Sequence, residues 1–144
     1  MAAFRHRIVV HFADVDHAGV VYHPVFFDYF HRTIEALFFE RMGAHSYAAM
    51  LDEERLGLPA VRSECDFRAP VRFGDLIDVD MTVAELGKSS VTFDFRVYRS
   101  HENTGDESTL VAEGRTVSAV VDLEAFRAVA IPSRLREVFR DLRS

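Results

Sequence analysis

Hydrophobic positions follow two different periods along this chain. From Pro24 to Met42, Phe26, Phe30, Ile34 and Phe38 recur every four residues, and Phe27, Leu37 and Phe39 widen the stripe. That spacing predicts one long helix with a broad apolar face. Pro24 suits a first helical turn, where a missing N–H costs no intrahelical bond, and Gly43 suits the stop. A shorter helix is expected over residues 46–54, with Ser46 as its cap and Gly57 and Pro59 closing it. Farther on, the period becomes two. Ile77, Val79, Met81 and Val83 alternate with Asp78, Asp80 and Thr82, and Val91, Phe93, Phe95 and Val97 alternate with Thr92, Asp94 and Arg96. Residues 61–73 read as extended, with Pro70 requiring an edge position or a bulge. Residues 108–122 read as a long strand in which Val117, Ala119 and Val121 alternate and Gly114 marks a bulge or a close approach. Phe73-Gly74-Asp75, Gly87-Lys88 and Asn103-Thr104-Gly105-Asp106 supply turns. A first strand is expected over residues 6–12. Pro132 opens a terminal helix carrying Leu135, Val138, Phe139 and Leu142.

The resulting order is β–α–(α)–β–β–β–β–α. A single α+β domain spanning residues 1–144 follows, with one long apolar helix buried against a five-stranded antiparallel sheet. One helix covers only part of a sheet face, and sheet edges invite pairing. A dimer that continues the sheet across a two-fold axis is therefore expected.

Composition narrows the classes. The chain has 144 residues, 13 of them Phe, and a net charge of −6. That balance disfavours nucleic acid as a partner. Asp28, His31, Arg32 and Glu35 interrupt the most apolar stretch, which argues against stable membrane insertion. The single Cys65 forms no internal bridge and fits a reducing compartment, so a cytoplasmic location is expected. No secretory leader is recognisable.

The chemistry concentrates between the first strand and the long helix. The run from Phe12 to Pro24 places Asp14, Asp16, His17 and His23 among apolar residues. A carboxylate beside a helix start stays ionised readily, and the amides there can receive a developing oxyanion. Asp14 alone could cap a turn, and Asp16 could be a turn residue. The spacing of His17 and His23 matches no compact metal site, so no metal is expected. There is no phosphate-cradling glycine loop and no Gly-x-Ser-x-Gly elbow.

The run Asp14-Val15-Asp16-His17-Ala18-Gly19-Val20-Val21-Tyr22-His23-Pro24 resembles the signature of the 4-hydroxybenzoyl-CoA thioesterase family, including its tol–pal-associated acyl-CoA thioesterase branch. The resemblance continues through the Phe-rich helix to Gly43. It returns at Phe67-Arg68-Ala69-Pro70-Val71-Arg72-Phe73-Gly74-Asp75, at Gly87-Lys88-Ser89-Ser90-Val91 and at Ile131-Pro132. It implies a hotdog fold, a homodimer or homotetramer with sites at the subunit interface, and hydrolysis of acyl-CoA to free acid and coenzyme A. No cofactor is implied, because coenzyme A is part of the substrate. Asp16 corresponds to the family's catalytic carboxylate, acting as nucleophile or general base, and the oxyanion donor falls near Tyr22 and His23. Val25, Phe26 and Phe27, at the helix start, are expected to line the acyl groove. Lys88, Ser89, Ser90, Arg68 and Arg72 are candidates for the nucleotide arm, although Arg68 and Arg72 could instead pair with Glu64 or Asp75. Two positions depart from the pattern. Val25 stands where the family commonly has Asn, and His23 with Pro24 mixes features of two branches. Substrate choice is left open between an aromatic acyl group, such as 4-hydroxybenzoyl, and a fatty chain. A hotdog-type dehydratase or hydratase using His23, and a non-catalytic acyl-ligand binder, are the alternatives.

Overall fold

A computed structural model describes residues 3–100 and 108–144 of the chain. Strand β1 (Phe4–Val9) leads through a single 3-10 turn (Phe12–Asp14) and a loop to helix α1 (Val25–Met42) and the short helix α2 (Ser46–Asp52). Two-residue β2 (Leu56–Gly57) is followed by the long strands β3 (Ala60–Phe67), β4 (Leu76–Leu86), β5 (Ser90–Arg99) and β6 (Thr109–Ala119). Short β7 (Val121–Asp122) and β8 (Arg127–Ala128) and helix α3 (Ser133–Arg140) complete it. The main sheet is antiparallel in the order β1-β4-β5-β6-β3, and β2, β7 and β8 form a small second sheet. The long helix packed against five antiparallel strands is the hotdog arrangement. The turn expected at Asn103–Asp106 lies outside the described residues.

The helix face carries the core. Phe26, Tyr29, Phe30, Thr33, Ile34, Leu37 and Phe38 are buried. Phe30 stacks on Phe95 with centroids 4.4 Å apart, and Phe139 of α3 packs edge-on to both Phe38 and Phe93. Phe39, expected on this stripe, is instead 63% exposed. Tyr29 and Thr33 take the inward positions, and the Thr33 hydroxyl is satisfied by the Tyr29 carbonyl at 2.8 Å. Gly43 ends the helix at φ 100°, a conformation that favours glycine. The Ser46 hydroxyl donates to the Gly43 carbonyl at 2.8 Å rather than capping α2, whose N-cap is His45.

Several strand boundaries differ from the expectation, each for a local reason. β1 runs over 4–9 rather than 6–12 because it pairs with β4 from Phe4↔Met81 to Val9↔Leu76, where its partner begins. β3 stops at Phe67 rather than 73. There the Arg68 and Ala69 amides both turn to the Val111 carbonyl, which leaves Pro70 in a loop beyond this edge strand. In β6 the buried residues are Val111, Ala112, Thr116 and Ser118, whereas Val117 and Ala119, and Val121 just beyond the strand, are only partly buried. Gly114 sets that phase: a Cβ on it would lie 2.3 Å from the Phe30 ring, so any side chain at this inward position would force Phe30 to shift. Gly114 therefore marks a close approach; the register shifts near it fall at Val97/Tyr98. Asp78, one of the polar residues that alternate with the apolar positions of β4, is buried and accepts two hydrogen bonds from Arg7. Among the described residues, no helix is long and apolar enough to cross a membrane.

Candidate active site

The segment between Asp14 and Tyr22 folds back on itself because its backbone bonds close locally. The Asp16 amide donates to the Val20 carbonyl at 2.9 Å, the Gly19 amide to the Asp16 carbonyl at 3.0 Å, and the Tyr22 amide to the Asp14 carbonyl at 3.0 Å. Gly19 makes the bend possible at φ 81°. The Val21 amide donates to the Val71 carbonyl at 2.7 Å, and Val20 bridges Arg72, so this loop is sewn to the segment that follows β3. Arg99, at the end of β5, props that segment through the Pro70 carbonyl at 2.6 Å.

Between the two segments and the start of α1 lies an open cavity of about 390 Å³, lined by Asp16, Val20, Val21, His23, Phe26, Phe67, Arg68, Ala69, Pro70 and Val71. Its aromatic wall is continuous. The Phe67 ring meets His23 at 5.9 Å and Phe26 at 5.3 Å, and behind the lining Phe26 packs on Tyr29 at 5.6 Å, all near-perpendicular. Asp16, although it stands among apolar residues in the sequence, is exposed in the single chain. One of its carboxylate oxygens, Oδ1, accepts the Ala18 amide at 2.8 Å, which orients the group and leaves Oδ2 available.

The helix start is selective in which amides it leaves free. Val25, Phe26 and Phe27 donate to the Tyr22, His23 and Pro24 carbonyls at 2.8, 3.2 and 3.1 Å, and Pro24 has no N–H. The His23 amide has no acceptor among the described residues. An uncommitted N–H at the positive end of a helix, beside an acid in the same cavity, can hold a carbonyl oxygen that becomes an oxyanion.

The other expected residues are placed as follows. Tyr22 is 50% exposed, stacks obliquely on His23 at 5.1 Å and lies outside the cavity lining. Val25 and Phe27 are half-buried, with Phe27 packed edge-on to Phe30. Arg68 lines the cavity but is held by Glu113 at 2.9 Å, and Glu113 also accepts from Arg96 at 3.1 Å. Those two arginines hold the Glu113 carboxyl below its usual range. Glu64 is thus not the partner of Arg68. The Arg72 backbone amide, not its side chain, meets Asp75. Lys88, Ser89 and Ser90 sit at the β4–β5 turn, where the carbonyls of Lys88 and Ser89 accept the Ile131 and Val120 amides. They do not line this cavity.

Phe67 and the Ala69–Val71 segment were not singled out as site residues from the sequence, because their contact with the Asp16 loop joins positions about 50 apart. The Phe67–Asp75 run, part of the family resemblance, is the available signal. Burial pushes the Cys65 thiol up to about 11, so it is not a thiolate nucleophile at neutral pH. Among the described residues no three His, Cys, Asp or Glu side chains gather as a metal site.

On a hotdog scaffold, a loop acid and a residue with an uncommitted backbone amide thus line one cavity. Residues 10–139 match the thioesterase-like superfamily, and the chain belongs to that family. It is similar to the 1,4-dihydroxy-2-naphthoyl-CoA hydrolase of Synechococcus elongatus, 26% identical with 95% of each chain covered. It is also similar to the acyl-CoA thioesterase YbgC of Haemophilus influenzae, 26% identical over 97% of this chain and 96% of that one. In three dimensions it resembles a 1,4-dihydroxy-2-naphthoyl-CoA thioesterase from Synechocystis, with a TM-score of 0.85, 23% identity and 97% of each chain covered. At that identity the last comparison speaks for the fold.

Proposed function

We propose that this chain hydrolyses acyl-CoA thioesters with a preference for an aromatic acyl group, and that Asp16 and the His23 amide perform the reaction. The carbonyl oxygen sits on the His23 N–H. The Asp16 carboxylate either attacks the carbonyl carbon or takes a proton from a water that does. Negative charge moves onto the carbonyl oxygen, the C–S bond breaks as it returns, and the coenzyme A thiolate leaves and is protonated. On the direct route, water then opens the mixed anhydride and regenerates Asp16. The observation that carries this reading is that His23, whose amide is uncommitted, lines the same cavity as Asp16.

The aromatic preference rests on the ring-lined wall of Phe26, Phe67 and His23, which offers edge and face contacts to a planar acyl group. The naphthoyl-CoA hydrolases among the relatives support the same choice. Arg72, with no carboxylate paired to its side chain among the described residues, stands next to the cavity and suits a phosphate of the nucleotide arm. The edge strand β3 is exposed along almost all its length and ends at Phe67, beside the cavity. Pairing of β3 with a second copy would join the sheets and bring two cavities to one interface, which favours a homodimer and, by pairing of dimers, a tetramer. A cytoplasmic setting keeps Cys65 reduced.

The test is thiol release from a panel of aromatic and aliphatic acyl-CoAs by wild type and Asp16→Asn. The reading expects turnover that favours aryl substrates and falls about 10²- to 10⁴-fold in the variant. Equal rates for the two proteins would overturn it. Hydration of an enoyl thioester without thiol release would instead indicate the dehydratase class.

A further inference from the structure

Tyr29 is fully buried in the second turn of α1, yet it carries a hydroxyl. A buried hydroxyl is costly unless it is bonded. This one donates to Asp14 Oδ2 at 3.0 Å. The same carboxylate oxygen accepts the His11 amide at 3.0 Å, and the Asp14 carbonyl accepts the Tyr22 amide at 3.0 Å. Asp14 therefore joins three elements: the chain leaving β1, the far end of the site loop and the interior of α1. Asp16 lies two residues beyond Asp14, inside the loop those bonds close. One turn earlier on the same helix, Val25 offers no polar side-chain atom to the loop. Among the described residues the Tyr29 hydroxyl thus makes the side-chain hydrogen bond by which α1 holds this segment, and the His23 amide lies two residues before the start of α1.

We infer that Tyr29 is a positioning residue for hydrolysis: through Asp14 it fixes the Asp16 loop to the helix whose start holds the thioester carbonyl, and so sets the distance between acid and carbonyl. The inference rests on the reading of Asp16 and His23 given above. It predicts a loss in the chemical step rather than in substrate binding, because neither Tyr29 nor Asp14 lines the cavity.

The experiment compares Tyr29→Phe, Asp14→Ala, Asp14→Asn and Asp16→Asn, with the double variant Tyr29→Phe/Asp16→Asn, on one good acyl-CoA substrate at a temperature where all are folded. Tyr29→Phe and Asp14→Ala should each lower kcat about 10- to 100-fold with KM within about twofold, as expected for a small displacement of a reacting group. Asp14→Asn should recover much of the rate, because one amide oxygen can accept both hydrogen bonds that Oδ2 now accepts. Adding Tyr29→Phe to Asp16→Asn should lower the residual rate no further. A kcat for Tyr29→Phe within twofold of wild type, or an effect confined to KM, would overturn the inference, as would an equal further loss in the Asp16→Asn background. If Tyr29→Phe does not fold, Asp14→Ala gives the same decision by removing the other partner of the bond, with no core side chain replaced. An inert Asp16→Asn with a normal Tyr29→Phe sinks only this inference, whereas a fully active Asp16→Asn sinks the reading beneath it.

Discussion

The middle of α1 and its beginning are built on opposite rules. In the middle, Phe30 lies flat on Phe95 and so close to Gly114 that no side chain fits between helix and sheet. At the beginning, the helix meets a polar loop, a cavity of about 390 Å³ and an exposed carboxylate. The packed middle fixes where the helix lies over the sheet. On the proposed reading, the open beginning uses that fixed position to present the His23 amide to a substrate. Stability and reactivity are thus separated by about two turns of one helix, and substitutions in the two regions should have different signatures.

Asp16→Asn gives the largest expected effect and the sharpest contrast. It should cost about 10³-fold in kcat/KM, near 4 kcal/mol, while the melting temperature moves by no more than about 2 °C, since Asn can still accept the Ala18 amide. A large drop in melting temperature would make Asp16 a structural residue and erase the distinction. Gly114→Ala should do the reverse. Overpacking against Phe30 should cost about 3 kcal/mol, read as a melting temperature about 10 °C lower, with the kcat of the folded fraction within about threefold of wild type. Phe67→Ala lies between the two regions in size of effect. Losing one ring of the wall should shift the ratio of aryl to alkyl kcat/KM about tenfold toward alkyl, with a small change in melting temperature. An unchanged ratio would remove Phe67 from the acyl wall. Cys65 should show the smallest effect. Because burial holds its thiol near 11, alkylation should be slow at pH 8 and accelerate only as the pH approaches that value. The sign for stability follows: the unfolded thiol ionises first, so the contribution of neutral Cys65 is complete below its ordinary value near 9 and is lost as the pH rises through 11. Fast labelling at pH 8 would contradict the burial.

The two regions also differed in how far they could be read from sequence. The period-four stripe of Phe26, Phe30, Ile34 and Phe38 and the alternation in β4 and β5 report burial directly, so the helix, the sheet and the α+β class were legible. Phe39 and the inward residues of β6 were misread for one reason. Which face of an element turns inward depends on its partner, and the Gly114–Phe30 approach is a tertiary fact. The motif from Asp14 to Pro24 pointed to the loop before α1, and local spacing was enough for that. It could not reveal that Phe67 and Val71 close the cavity, that Glu113 holds Arg68, or that Asp14 answers to a phenol fifteen residues on. Those depend on contacts between segments that the chain brings together only on folding.

The most direct measurement is a crystal structure of the protein with a non-hydrolysable acyl-CoA analogue whose carbonyl is retained. The account predicts that carbonyl oxygen about 2.7–3.1 Å from the His23 nitrogen, with the Asp16 carboxylate facing the carbonyl carbon directly or across one water. An acyl group seated elsewhere, or an Asp16 side chain turned away with no water between it and the carbon, would contradict it.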